Sequence, residues 1–255
     1  YALRKDLAAQ AFKNTSYYEA IISEWFSAKN NTLFESSSSI ALKKIKELRY
    51  GENPHQKGSL FKYGEDCITK IYGKDLSFNN INDLEIAMEI VAQFNRNACA
   101  IIKHGNPCGV ALDEKQEKAY KKALVCDSIS AFGGIVAFNK KLNEKTAKEI
   151  SKIFTELIIA PDFSSKAVKL LSMKKNLSLV RYNPINTSKG KKIKSTRNYL
   201  LVQDEDKKKV LKNDLKFVTK NKPKNSEVED MLFAFTVCKY LNSNAIVIAK
   251  NQATL

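Results

Sequence analysis

Short apolar runs alternate along this chain with longer segments in which apolar residues recur every three or four positions. That alternation predicts an α/β architecture, a mixed sheet with helices on both faces. Ser59–Tyr63, Ala98–Ile102, Ile135–Phe138, Leu157–Ala160, Leu177–Arg181, Tyr199–Val202 and Ala245–Ala249 read as strands. Between them, Leu84, Ala87, Met88 and Val91 line one helical face, with Asn82 as N-cap and Glu85 three residues on. Residues 114–126 predict the next helix, with Ala119, Ala123 and Leu124 on its apolar side, and Leu142, Ala147, Ile150 and Ile153 predict another. Ala167–Leu171 and the strongly apolar Val228–Leu241 complete the set. Some antiparallel pairing is expected beside the lysine-rich stretch Lys189–Lys194, which reads as a loop.

The first 28 residues also predict a helix, with Ser16 and Glu19 matching a capping box and Tyr18, Ile21, Ile22 and Trp25 at helical spacing. A polar connector over 29–39 follows and marks a domain boundary. The expected organisation is residues 1–39 as a linker helix, 40–203 as a first subdomain, and 204–255 as a connector and the start of a second. The sequence stops directly after the strand predicted at 245–249, which reads as a βα unit only half built.

Residues 98–112 concentrate the chemistry. The apolar run Ala98–Ile102 ends on Lys103 and His104, after which Gly105, Asn106, Pro107 and Gly109 are expected to break the backbone. In open α/β sheets, ligands bind beyond the carboxyl ends of strands, so a lysine and a histidine placed there suit an active site. Four other stretches are dense in polar groups. Leu48–Gln56 offers the planar fork of Arg49 for phosphate or carboxylate and the stacking face of Tyr50. Leu76–Asn80 sets two carboxamides before a helix, Ser130–Gly134 is a tight turn where backbone can approach a ligand, and Asn242–Asn244 opens the last predicted strand. Taken singly, each also reads as an ordinary cap, turn or helix stop.

Composition narrows the classes. At 255 residues with 44% hydrophobic residues, the chain has the makings of one large or two small globular domains. No apolar run approaches the ~20 residues of a membrane span, and no secretory signal pattern is visible. Cys67, Cys99, Cys108, Cys126 and Cys238 are scattered, and only two histidines accompany them, so a conventional zinc site is not expected. Reduced thiols in a cytoplasmic protein are the simplest account. The formal charge of +16 keeps a basic nucleic-acid-binding module open as one reading and a non-catalytic nucleotide-binding α/β protein as another. Against the first, no Lys/Arg face alternates with aromatic platforms.

Together, six stretches resemble the transformylase domain of the bifunctional AICAR transformylase/IMP cyclohydrolase family of purine biosynthesis. They are Leu48–Gln56, Leu76–Asn80, Ile102–Ala111, Ser130–Ala137, Ile158–Phe163 and Ser243–Val247, in the family's order and spacing over roughly residues 40–255. The resemblance implies a cytidine-deaminase-like transformylase subdomain followed by the start of a similar one. It implies formyl transfer from 10-formyltetrahydrofolate to aminoimidazole carboxamide ribotide (AICAR), with Lys103, His104 and Asn244 catalytic. By the same carry-over, Arg49, Tyr50, Gly133 and Glu156 match ribotide-binding positions and Asn80 lies near the reacting groups. No metal, nucleic acid or membrane is implied; the partners are the two small-molecule substrates and a second copy of the chain in a homodimer with shared sites. Residues 1–28 match the segment joining cyclohydrolase to transformylase, and the cyclohydrolase domain itself is absent. The family's Gly-x-Gly-Ala-Gly-Gln stretch is expected just past Leu255.

Overall fold

Cys99 and Ile101 are buried in one apolar core and Ala98, Ala100 and Ile102 in another, the period-two signature of a strand covered on both faces. The structure, a computed structural model, describes residues 1–30, 34–64, 66–183 and 191–255. In chain order the elements are α1 (Ala2–Lys29), β1 (Lys43–Leu48), β2 (Gly58–Lys62), β3 (Ile68–Tyr72), α2 (Phe78–Val91), β4 (Asn97–Lys103), β5 (Asn106–Asp113), α3 (Gln116–Cys126) and β6 (Ile135–Phe138). There follow α4 (Glu144–Ile150), β7 (Leu157–Ala160), α5 (Ser165–Leu171), β8 (Ser178–Tyr182), β9 (Lys191–Ser195), β10 (Leu200–Asp204), α6 (Asn225–Cys238), β11 (Ala249–Lys250) and β12 (Ala253–Thr254).

The chain divides into two units. The smaller takes residues 1–47, 59–66 and 186–207; the larger takes 48–58, 67–185 and 208–255. The larger unit holds an eight-stranded sheet of order β11-β12-β5-β4-β6-β7-β8-β3. Its middle, β6-β7-β8, is parallel, while β4 runs antiparallel to both β5 and β6. One face is covered by α3, α4 and α5 through Ala119, Tyr120, Ala123, Ala147, Ile150, Ala167 and Leu171. The other is covered by α2 and α6 through Leu84, Ala87, Met88, Val91, Phe233 and Val237. This is the mixed α/β sheet expected from the alternation of runs.

In the smaller unit, α1 is one continuous helix, because nothing between Ala2 and Lys29 interrupts it with Gly or Pro. The capping box expected at Ser16 does not exist. Ser16 lies mid-helix, its hydroxyl donating back to the Lys13 carbonyl oxygen at 3.3 Å. The predicted apolar face is also not a core: Ala20 is the buried residue, and Tyr18, Ile21 and Trp25 are exposed. The connector read over 29–39 lies partly outside the described residues, at 31–33. Of the lysine-rich stretch, 189–190 lie outside them as well, and the rest is not a loop. Lys191–Ser195 pairs antiparallel with β10, Ile193 opposite Val202.

Three further expectations change in the larger unit. The N-cap of α2 is Ser77, five residues ahead of Asn82, because Ser77 accepts the Asn80 amide at 3.1 Å and Asn80 Oδ1 accepts the Ser77 amide at 3.1 Å. The backbone does not break after His104 but turns back within two residues into β5. Pro107 is tolerated there because it falls at the strand's start, where the β4–β5 register shifts. The strand predicted at 245–249 is reduced to Ala249–Lys250, paired with Ala253–Thr254; Ile246 and Ile248 are exposed.

Candidate active site

Lys103 ends β4, and the antiparallel neighbour β6 begins beside it, with Ile102 opposite Ile135. The carboxyl end of β4 is therefore the same sheet edge as the amino ends of β6, β7 and β8, so among these four strands only β4 presents its carboxyl end here. Lys103 Nζ donates to the Phe132 carbonyl oxygen at 2.7 Å, which fixes the ammonium beside the turn that carries Gly133. Gly133 has φ +73, a conformation that favours glycine, and donates its N–H to the Phe154 carbonyl oxygen at 2.9 Å. Glu156, exposed just before β7, donates its backbone N–H to the Gly134 carbonyl oxygen at 3.2 Å. Lys103, Gly133 and Glu156 are thus linked along one edge. A cavity of about 260 Å³ lies behind the 151–155 strap, lined by Phe154, Thr155 and Leu177, and by Lys152, Lys174 and Lys175.

His104 is exposed, and with φ +53 it forms with Gly105, at φ +74, the two-residue turn of the β4–β5 hairpin. Both amides of this turn point at one carboxylate. Asp83 on α2 accepts from the Gly105 N–H at 2.6 Å and from the His104 N–H at 3.2 Å. Asp83 is only 8% exposed. Asn80 lies one turn earlier on the same side of α2, its side-chain oxygen occupied by the cap. Asn79 Nδ2 donates to the Glu52 carbonyl oxygen at 3.2 Å and so ties the 49–56 loop to the start of α2. In that loop the Arg49 guanidinium lies 4.8 Å from the Tyr50 ring centre and donates to its hydroxyl at 3.0 Å.

The structure therefore joins Arg49 and Tyr50, through Glu52 and Asn79, to the helix that carries Asn80 and holds His104. It does not join Asn244 to them. Asn244 is exposed in the segment after α6, and among the described residues no hydrogen bond links it to Lys103 or His104. Cysteine ionisation is suppressed next to this edge. Burial, then the Asp127 carboxylate, pushes the Cys108 thiol up to about 11, against the opposing charge of Lys103. Among the described residues, no cluster of three His, Cys, Asp or Glu side chains could hold a metal ion, and no helix is long and apolar enough to cross a membrane.

Asp83 escaped the motif reading, although a signal for it exists. Residues 81–107 and 228–254 align in sequence without a gap, placing Asp83 on Asp230, Ala87 on Ala234, Asn97 on Asn244 and Lys103 on Lys250. The helix repeats with the sequence, since α2 and α6 each span 14 residues, whereas the strand after it is shorter in the second copy. Asp230 accepts the Asn251 and Gln252 amides at 2.8 and 2.6 Å, and both of those residues have φ +54.

Residues 1–255 match the family described as AICARFT/IMPCHase bienzyme. Among curated relatives, the bifunctional purine biosynthesis protein PurH of Brucella anthropi is 48% identical over 264 aligned residues, covering 100% of this chain and 49% of the relative. Its namesake from Caulobacter vibrioides is 45% identical, covering 100% and 50%, and that from Aquifex aeolicus 46%, covering 99% and 50%. The chain spans about half the length of the curated relatives it matches.

Proposed function

The chain belongs to the AICARFT/IMPCHase bienzyme family, and from that premise we propose that it carries the formyl-transfer half of the family's chemistry. The donor is a folate-type one-carbon carrier, 10-formyltetrahydrofolate, and the acceptor is the 5-amino group of AICAR. The product is formyl-AICAR, on the route to IMP. The observation that carries this reading is the placement of Lys103 and His104 at one sheet edge, the lysine held by Phe132 and the histidine by its turn.

The acceptor amine is a weak nucleophile because its lone pair delocalises into the ring and carboxamide. As its nitrogen attacks the formyl carbon, His104 takes a proton from it as general base. The carbonyl oxygen becomes an oxyanion, which Lys103 stabilises. An ammonium has three N–H donors, so the bond to Phe132 orients Lys103 and leaves two for the reaction. Collapse of the intermediate breaks the bond from the formyl carbon to the folate nitrogen, which leaves with a proton returned from the Lys103–His104 pair.

Arg49 and Tyr50, with Gly133 and Glu156, bind the ribotide on this reading, and Asn80 sits near the reacting groups. Asn244 holds the carboxamide or formyl group once substrates or a second copy of the chain complete the site. A cytoplasmic homodimer sharing sites across its interface fits this arrangement. Residues 1–39 serve as the linker helix, 40–203 as the first transformylase subdomain, and 204–255 open the second. The cyclohydrolase reaction is assigned to the part of the relatives that this chain does not span.

The test is tetrahydrofolate release from 10-formyltetrahydrofolate in the presence of AICAR, measured on this chain and on the natural full-length protein. Ribotide-dependent release by the full-length protein, lost in Lys103→Met, supports the reading. Absence of release from both proteins sinks it.

A further inference from the structure

A non-glycine residue in the left-handed region brings its Cβ against the following carbonyl oxygen, so something must hold His104 at φ +53. Two successive residues with positive φ also turn their N–H groups to one side, forming a small concave site for an anion. Asp83 fills that concavity from α2, with 2.6 and 3.2 Å bonds to the two amides. These are charge-assisted hydrogen bonds, the stronger kind, and they satisfy a carboxylate that is almost fully buried. The second instance carries independent weight. Asp230 makes the same pair of bonds to a turn of the same backbone sign, at the matching place in the repeated segment.

We propose that Asp83 is a positioning residue for formyl transfer, clamping the His104–Gly105 turn from α2 so that the Lys103–His104 pair is held at the sheet edge. The proposal rests on the transformylase reading above. Asp230 is the matching clamp on the second hairpin, where Asn251 stands in the place of His104 and no base is presented. The first clamp therefore serves both structure and reaction, whereas the second serves structure. The turn is built where it can be precise: its strands are central in the sheet, and Gly105 faces Asn82 and Ile86 of the helix that carries Asp83.

Asp83→Asn keeps the size of the side chain but turns one acceptor into a donor facing the turn amides. In the natural full-length protein, this variant is expected to lower the kcat of formyl transfer by about 10²-fold, the loss typical of a small misplacement of reacting groups. KM for AICAR should stay within about threefold. Hydrogen exchange at the His104 and Gly105 amides should rise at least about tenfold, with the rest of β4 and β5 unchanged. Asp230→Asn is the matched control: faster exchange at Asn251 and Gln252 and a comparable loss of melting temperature, with kcat retained.

If Asp83→Asn lost stability as Asp230→Asn does but kept its kcat, Asp83 would be a structural clamp alone and the proposal would fail. Unchanged exchange at His104 and Gly105 would also overturn it. A wild-type protein that transfers no formyl group overturns the functional reading and the positioning role with it. Even then, exchange at the two amides reports separately whether Asp83 holds the turn.

Discussion

Lys103 Nζ donates to the Phe132 carbonyl oxygen at 2.7 Å, so the last residue of one strand is tied to the turn that opens the antiparallel strand beside it. The bond aims a flexible four-carbon side chain without neutralising it. Replacing Lys103 with Met keeps the apolar stem and removes the charge. The expected outcome is a native melting curve with formyl transfer reduced by about 10²–10³-fold, the usual cost of losing a group that stabilises an oxyanion. Steady-state turnover alongside circular dichroism checks it.

His104 combines an exposed imidazole with a left-handed backbone, and two substitutions separate these properties. His104→Ala removes the base and keeps the backbone cost; His104→Gly removes both. Turnover is expected to vanish in each, with AICAR affinity within several-fold of wild type. In urea, however, the glycine variant should be more stable than the alanine variant by about 1 kcal/mol. Substantial turnover in His104→Ala would show that the base lies elsewhere.

Two glycines on the same hairpin should fail for different reasons. A Cβ on Gly109 would collide with the Ala123 carbonyl oxygen, because α3 packs directly against β5 there. Gly109→Ala is expected to cost about 3 kcal/mol or more, as forced overpacking does. At Gly105 a Cβ meets nothing closer than 3.7 Å, but φ is +74, so Gly105→Ala should cost about 1–2 kcal/mol from backbone strain alone. Urea midpoints of the two variants give the comparison.

The cysteines predict a chemical pattern. Burial holds the Cys99 thiol well above its ordinary range, and burial with Asp127 raises Cys108 to about 11, whereas Cys67 is exposed. Iodoacetamide at pH 8 should label Cys67 first, Cys108 far more slowly and Cys99 last, as mass spectrometry would record. The same shift has a stability consequence. Unfolding frees Cys108 to ionise near its ordinary value of 9.0, so between pH 9 and pH 11 the unfolded chain has lost a proton that the folded chain keeps. Stability should therefore fall as pH rises through that window, and less steeply in Cys108→Ala.

Much of the fold was legible along the chain. Ile135–Phe138 and Leu157–Ala160 are strands with the bounds their apolar runs predict, and Leu84, Ala87, Met88 and Val91 are the buried face of α2. Other expectations failed where the outcome depends on a distant partner. Ala245–Ala249 is as apolar as the central strands, yet only its last residue finds a ladder partner. The periodic face of α1 predicts a helix correctly but not its burial, since periodicity reports which residues share a side and not what covers them.

The site divides in the same way. Sequence alone determined that a lysine and a histidine follow a buried strand, that Arg49 and Tyr50 lie in a polar turn, and that the motifs stand in one family's order. Local spacing and side-chain chemistry are enough for those statements. The tertiary structure alone decided that His104 and Gly105 turn the chain back into β5 rather than end it. It also decided that Lys103 reaches Phe132, and that Asp83, 21 residues upstream on α2, holds the histidine's backbone. The reason is physical: a left-handed turn and a carboxylate filling it stabilise each other only once α2 has packed across β4, and no stretch of sequence contains both.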